Sequence, residues 1–272
     1  MITIIYAPPR TGKTVFMTML ANKVAFDREQ TKLMQSEVES MQQAGFNVNV
    51  PKHCVYANYD IRLKKFRYSE RRSYKINPYR LGFANNFVET HFLPPYSTIF
   101  ITEAQKYLNS RMAMYYPDWQ SRWFEQHGHD NLNIYLDTQR PMLIDPNIRE
   151  LSCFIEIMKL DKFYDDYGRI NALRWTIRKI DNSSLWDRYM SSGKKDKNCY
   201  TEEIVEADYN VFLCYDSFSC KPKFLDGHFE EDFSLKEFIE SDGSMRSIIE
   251  YLQKNDDELP SGFYQKRSAK GA

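Results

Sequence analysis

Three neighbouring residues near the start of the chain, Gly12, Lys13 and Thr14, have the types and spacing that bind a phosphate group. In the motif G-x-x-x-x-G-K-[ST], the lysine reaches the β- and γ-phosphates, the hydroxyl binds Mg²⁺, and the loop amides surround the anion. The pattern therefore predicts that the chain binds ATP with Mg²⁺ as cofactors. The contacts are expected from the whole loop, namely Ala7, Pro8, Pro9, Arg10, Thr11, Gly12, Lys13, Thr14 and Val15.

Ala7 stands where this motif usually has its first glycine. Because Ala7 precedes Pro8, it is biased toward extended geometry, which a loop that leaves a strand can use. The alternative is a chance Gly-Lys-Thr at a helix start. An apolar run precedes the loop, Ile2 to Tyr6, and an apolar-periodic segment follows it. Strand, loop and helix are the context that the motif requires, so we favour the nucleotide site.

A second polar pair, Thr102 and Glu103, follows the apolar stretch Thr98 to Ile101. Ligands of open α/β sheets bind at the carboxyl ends of the strands, and this is a Walker B position. Glu103 occupies the catalytic place and is expected to polarise the attacking water. Thr102 occupies the position that is usually an aspartate. Its hydroxyl can contact Mg²⁺ through a water, but it lacks the negative charge of a carboxylate. We therefore expect an ATPase with slow hydrolysis. The alternative is an ordinary buried strand followed by a helix, and it would be the better interpretation if Lys13 were absent.

Gln139 stands at the end of another predicted buried strand, Asn131 to Leu136. An uncharged polar residue at a strand end can sense the γ-phosphate or position water, so Gln139 is a candidate catalytic residue. The alternative is an ordinary loop amide.

Residues 62–75 hold seven basic residues and one acid, with three aromatic residues among them. Such a mixture suits a nucleic-acid backbone with stacked bases. The alternative is a solvated β-hairpin whose charged edges discourage aggregation. The candidate DNA contacts are Arg62, Lys64, Lys65, Arg67, Arg71 and Arg72.

The composition excludes several classes of protein. The formal net charge is zero, which argues neither for nor against a polyanionic partner. The five cysteines are scattered and contain no Cys-x-x-Cys, which argues against disulfide and metal frameworks. We expect no signal peptide, because the apolar run of a strand begins at Ile2, and no run approaches the roughly 20 apolar residues of a membrane span. The expected location is the cytoplasm.

The order of elements predicts the fold. Apolar residues recur at helical spacing from Thr14 to about Gln43, and residues 54–61 are predicted to form a strand. We expect that strand to pair in parallel with residues 2–6, as in a βαβ unit. The prediction is an α/β P-loop NTPase with a central, mainly parallel sheet flanked by helices. Its parts are a P-loop ATPase core (1–160), a smaller β-rich C-terminal appendage (161–228) and an acidic helical or disordered tail (229–272).

Three groups of residues together resemble one family: Ile5–Thr14, Ile99–Gln105, and Leu136–Pro141 with Ile144–Arg149. They are similar to the N-terminal ATPase domain of the zonular occludens toxin (Zot) family over about residues 1–160. That family is similar to filamentous-phage assembly ATPases and belongs with the FtsK/HerA DNA-pumping P-loop enzymes. Ala7 and Thr102 depart from its pattern. The resemblance implies an ATP-driven motor that acts on phage or mobile-element DNA during assembly and export.

The resemblance also implies a homo-oligomer, with a hexamer as one arrangement, whose active sites lie at subunit boundaries. Arg149 is then the candidate that reaches the γ-phosphate of a neighbouring subunit, with a salt bridge to a nearby acid as the alternative. Members of the phage group continue into a membrane anchor. The resemblance therefore implies either a place at the inner face of the membrane, through a membrane-anchored assembly partner or an anchor missing from this sequence, or a soluble relative. The alternative function is a nucleotide-gated scaffold with little hydrolysis. No sequence feature supports a secreted toxin.

Overall fold

The structure is a computed structural model, and it describes residues 1–45, 49–64, 70–78, 81, 93–111, 118–208, 211 and 214. The α-helices of this part are α1 (Lys13–Ala25), α2 (Arg28–Gln43), α3 (Asp118–Gln126), α4 (Pro146–Glu150) and α5 (Ser183–Ser191). The strands are β1 (Ile2–Tyr6), β2 (Val55–Ala57), β3 (Arg62–Lys64), β4 (Glu70–Arg72), β5 (Tyr74–Lys75), β6 (Thr98–Ile101), β7 (Asn133–Thr138), β8 (Ser152–Tyr164), β9 (Ile170–Ile180) and β10 (Thr201–Asp208).

Eight of these strands form one mixed sheet in the order β10-β9-β8-β1-β7-β6-β2-β5. From β5 to β8 all neighbours run parallel, and β9 and β10 add antiparallel pairs at the β8 edge. Every residue of β1 and β6 is buried, as expected for parallel strands with both faces covered. The sheet is mainly parallel, is flanked by helices, and has the P-loop between β1 and α1. The predicted P-loop NTPase fold is confirmed.

The two faces of the sheet bury separate apolar clusters. Successive residues of a strand point to opposite faces, so Ile4 joins one cluster and Ile5 joins the other. The Ile4 cluster packs under α3, α4 and α5, and the Ile5 cluster packs under α1. Strand residues that share a face with Ile5 therefore lie on the same side of the sheet as the start of α1.

The predicted pairing of β1 with β2 is wrong. β1 pairs with β7 and β8, whereas β2 pairs with β5 and β6. β6 and β7 lie between them, and parallel strands that are joined by helices can be separated in this way, because the crossover passes over one face of the sheet. The connection from β1 through its helices therefore crosses two strands before it rejoins the sheet.

The helical segment after Thr14 is two helices rather than one. Asp27 adopts extended backbone geometry between α1 and α2, and its Oδ1 accepts hydrogen bonds from the amides of Glu29 and Gln30. Aspartate is a preferred N-cap because its side chain satisfies these first-turn amides. A new helix therefore begins at Arg28.

The strands after residue 150 extend the core sheet. Residue 160, where the ATPase core was predicted to end, lies inside β8, because β8 continues to Tyr164 as the partner of β9. β9, α5 and β10 lie within residues 161–228, the predicted β-rich appendage. The acidic tail lies outside the described residues, so the division into three parts stays a prediction. Within the described ranges, no helix has the length and apolarity to cross a membrane.

Candidate nucleotide-binding site

The loop between β1 and α1 has the backbone geometry of an anion-binding nest. Arg10 has a φ of 65° and Gly12 a φ of 76°. Left-handed residues of this kind turn backbone N–H groups toward a common concavity. Ala7 is buried and does not have a positive φ, so an alanine is accommodated without backbone strain. The loss of the usual glycine therefore leaves the nest intact.

The start of α1 adds further unpaired amides to this nest. Gly12 is the N-cap residue, and no side chain caps the helix. The first amides of a helix have no partner within the helix, and the helix dipole makes this end positive. Backbone N–H groups at Lys13, Thr14 and Val15 are thus arranged to bind a phosphate group.

Lys13 is held under the loop by the loop's own carbonyl groups. Its Nζ donates to the backbone oxygen of Ala7 at 3.0 Å and to that of Pro8 at 3.2 Å, and the side chain is 8% exposed. An ammonium group has three donors. The third donor is available for a phosphate oxygen bound in the nest.

Asp137, at the end of β7, is the acidic centre of the site. Its side chain is 1% exposed, and its Oδ2 accepts a hydrogen bond from the Thr102 hydroxyl at 3.1 Å. The Thr14 hydroxyl lies 3.5 Å from the same oxygen, and the Glu103 amide donates to Oδ1 at 2.8 Å. One buried carboxylate therefore joins the P-loop helix to the β6 tip.

The strand register explains this meeting of residues. Asp137 pairs with Ile5 of β1, so its side chain lies on the α1 face. Ile101 pairs with Leu136, which places Thr102 beside Asp137 at the same edge. Our sequence reasoning missed Asp137. An acid directly after the buried run Ile134 to Leu136 was the available signal, but only the strand order brings it next to Thr102.

Glu103 follows β6 directly, at the carboxyl end of the strand. Its backbone is left-handed, with φ of 53° and ψ of 42°, and its carboxylate is partly buried. Gln105 Nε2 donates to Glu103 Oε2 at 2.6 Å and so holds the carboxylate in place. Asn58 at the end of β2 fixes the strand tip, because its amide group both donates to the Thr102 carbonyl and accepts from the Thr102 amide.

The other two candidate catalytic residues lie at opposite ends of the parallel strands. Gln139 is exposed, two residues beyond Asp137, at the carboxyl edge that carries Lys13. Arg149 lies shortly before Ser152, which pairs with Ile2 at the amino-terminal edge, and its Nη1 contacts Met142 Sδ at 2.6 Å. The structure therefore does not bring Arg149 to the site of its own chain. Both catalytic roles stay predictions.

The basic segment forms the predicted hairpin in part. β3 and β4 pair as a separate antiparallel ribbon, with Arg62 opposite Arg72, and both arginines are exposed. Leu63 between them is fully buried in the cluster under α1. Lys64 and Arg71 belong to the paired strands, whereas Lys65 and Arg67 lie outside the described residues.

Two residues of the β8–β9 hairpin pack directly against the P-loop. A Cβ atom on Gly12 would lie 2.9 Å from Leu160 Cδ2 and 3.3 Å from Trp175 Nε1. Trp175 is fully buried and stacks edge-on against Phe16 of α1, with ring centroids 5.5 Å apart. Both the left-handed φ and this close packing require glycine at position 12.

Burial raises the pKa of Asp137 to about 6, although the Glu103 amide and the charge of Lys13 oppose the shift. A carboxylate whose pKa is raised on folding lowers the free energy of unfolding, because its charged form is less stable in the folded state. This loss is absent below the ordinary pKa of 3.8, grows as the pH rises to about 6, and is constant above that pH.

Asp137→Asn is therefore expected to stabilise the nucleotide-free protein by roughly 1 to 3 kcal/mol at pH 7.5 in EDTA. Urea unfolding between pH 4 and 8 should show this gain growing up to about pH 6. The exposed Asp166→Asn is the control, with an expected change within about 0.5 kcal/mol. A loss of stability in Asp137→Asn would show that its hydrogen bonds outweigh the cost of its charge.

The donor set of this site fits a Mg²⁺ ion that is bound together with a nucleotide. In the described part of the chain, no group of three or more His, Cys, Asp and Glu side chains could hold a metal ion by itself. Mg²⁺ prefers oxygen ligands and keeps several waters, with one or two carboxylates and substrate phosphates completing its shell. The Thr14 hydroxyl and the Asp137 carboxylate are oxygen groups of this kind.

Comparison with solved structures finds similar chains. One is the N-terminal domain of zonular occludens toxin from Neisseria meningitidis, at 19% identity and a TM-score of 0.41, covering 79% of this chain and 98% of that one. Another is the genome packaging NTPase B204 from Sulfolobus turreted icosahedral virus 2 in complex with ATP-gammaS, at 11% identity and a TM-score of 0.37, covering 75% and 95%. The first is the domain that the sequence motifs resemble. Neither the protein-family models nor the curated proteins match the chain.

Proposed function

We propose that this chain binds ATP at the β1–α1 loop and hydrolyses it as a motor on DNA. The observation that carries the proposal is that Asp137 accepts hydrogen bonds from both the Thr14 hydroxyl and the backbone amide of Glu103, beside the loop that holds the buried Lys13 ammonium. Lys13 would bind the phosphates, Thr14 would bind the metal ion, and the Glu103 carboxylate would activate the water.

Each group has a distinct role in the proposed reaction. The loop amides and Lys13 hold the phosphates in place and stabilise the charge on their oxygens. Glu103 is held by Gln105 at the strand tip and orients and polarises the attacking water. A bound Mg²⁺ would supply further neutralisation of the phosphate charge. Gln139, exposed at the same edge, is suited to contact the γ-phosphate or the water.

The DNA part of the proposal rests on the β3–β4 ribbon and the family resemblance. Exposed Arg62 and Arg72 lie opposite each other, and buried Leu63 anchors the ribbon to the body of the protein. A ribbon that carries paired, exposed arginines can contact a phosphate backbone. We further propose that the chain acts in the cytoplasm as a homo-oligomer on phage or mobile-element DNA, next to a membrane-anchored partner.

A nucleotide-gated scaffold remains the competing function. Its basis in the sequence is the neutral Thr102, but the adjacent Asp137 provides a carboxylate at that place. The test that separates the two functions is steady-state ATP turnover with and without single-stranded DNA. A motor should turn over ATP and respond to DNA with a several-fold higher rate. Binding of ATP without turnover under both conditions would favour the scaffold.

Titrations of single-stranded DNA at several salt concentrations test the ribbon with the double variant Arg62→Gln, Arg72→Gln. If both arginines contact phosphates, the slope of log affinity against log salt should become shallower by about 1.4, or 0.7 for each phosphate of a single strand. Stimulation of turnover by DNA should fall with it. Lys162→Gln with Lys195→Gln removes the same charge from other exposed positions and is the control. Identical slopes for the wild type and the ribbon variant would make the ribbon a solvated surface only.

A further inference from the structure

The position that usually carries the Walker B aspartate holds a threonine, yet a carboxylate is present beside it. Thr102 donates its hydroxyl hydrogen to Asp137 Oδ2 at 3.1 Å. The two residues lie on neighbouring strands, at adjacent tips of the same sheet edge. The carboxylate is therefore displaced from β6 to β7 by one strand.

The position of Asp137 relative to Thr14 is the second observation. The hydroxyl of this P-loop threonine is the group that binds Mg²⁺ in the motif. Asp137 Oδ2 lies 3.5 Å from it, so the carboxylate borders the place where the ion would lie. Glu103 is a poorer candidate for this role, because among the described residues the Thr14 hydroxyl contacts the carboxylate of Asp137 and not that of Glu103.

The third observation is that the Asp137 carboxylate is buried and forms no salt bridge within the described part of the chain, although the charge of Lys13 acts on it from a longer distance. No ion pair joins it to a lysine or arginine among the described residues. Each of its oxygens accepts one short hydrogen bond, from Glu103 N and from the Thr102 hydroxyl. A carboxylate oxygen has about two lone pairs, so each keeps acceptor capacity. A buried charge of this kind is costly unless a cation or further donors compensate it.

We propose that Asp137 supplies the carboxylate of the Mg²⁺ site, directly or through a metal-bound water, and that Thr102 serves to orient it. This inference rests on the proposed ATP binding at the P-loop. It assigns the metal-binding charge to β7 and leaves Thr102 as a positioning residue. The site then keeps the negative charge of one carboxylate although residue 102 is neutral.

The test measures the affinity for AMPPCP, a nonhydrolysable ATP analogue, by calorimetry in Mg²⁺ and in EDTA. In the wild type, Mg²⁺ should raise the affinity. Asp137→Asn should lose most of this gain while keeping its affinity in EDTA within about threefold. Binding of Mn²⁺ to the protein–AMPPCP complex, followed by its EPR signal, should weaken by roughly 10- to 100-fold, as for other groups that support a metal site.

A swapped variant and a control complete the experiment. Thr102→Asp combined with Asp137→Thr returns the acid to β6, and it should restore the Mg²⁺-dependent gain. Asp166→Asn, an exposed change of the same chemistry, should behave as the wild type. An Asp137→Asn protein that keeps the full Mg²⁺-dependent gain would overturn the inference while leaving ATP binding standing. A wild type that binds no AMPPCP in either condition would overturn the proposed function itself.

Discussion

Replacing Lys13 with alanine is expected to weaken ATP binding by about 10- to 100-fold. Its ammonium is the one cation that the motif supplies to the phosphates, and a hydrogen bond to a charged group contributes about 1.5 to 3 kcal/mol. The expected loss is large because Lys13 is buried beneath the loop, where water cannot replace it. Equilibrium binding of a fluorescent ATP derivative measures the effect.

Lys23→Ala is the matched control, because Lys23 is an exposed lysine in the last turn of the same helix. Lys13→Ala also removes hydrogen bonds to the carbonyls of Ala7 and Pro8, so thermal unfolding of each variant should accompany the titration. Unchanged affinity in a folded Lys13→Ala protein would contradict a phosphate site at this loop.

Glu103→Gln is expected to lower ATP turnover by roughly 10²- to 10⁴-fold, the usual contribution of a general base. ATP binding should persist, because the substitution keeps the size of the side chain. The amide oxygen of glutamine can still accept the hydrogen bond from Gln105, and the backbone bond from residue 103 to Asp137 does not involve the side chain. Phosphate release under saturating ATP is the measurement.

The exposed Glu37→Gln in α2 makes the same chemical change away from the site and should leave the rate unchanged. If Glu103→Gln retained the wild-type rate, another group would activate the water. Loss of both binding and turnover would instead indicate that Glu103 supports the loop rather than the reaction.

The local parts of the site could be predicted from the sequence, because a short stretch of chain determines them. The P-loop depends on residues 7–15 and on the strand and helix that adjoin it, and both elements form where expected. The end of β6 at Glu103 is likewise local, since an apolar run stops there. In these segments the spacing of residue types is sufficient to indicate the chemistry.

The non-local parts could not be predicted in the same way. The meeting of Asp137 with Thr102 depends on β7 lying between β1 and β6, and the sequence order of strands does not determine their order in the sheet. Arg149 shows the same limit, because its distance from Lys13 along the chain does not reveal that it precedes a strand at the opposite edge. The break between α1 and α2 at Asp27 is a local feature, but helical periodicity continues on both sides of it, so the sequence pattern indicated a single helix.

The packing of Trp175 and Leu160 over Gly12 links the nucleotide loop to the second half of the chain. The loop is built from the first residues, yet the surface that supports it comes from strands more than 140 positions later. β9 shares its buried cluster with α1, so its apolar side chains complete the layer under the phosphate-binding helix. A fragment cut at residue 160 would leave Phe16 and the P-loop without that layer. We therefore expect that a fragment must extend at least to the end of β9 to keep this loop in its folded form.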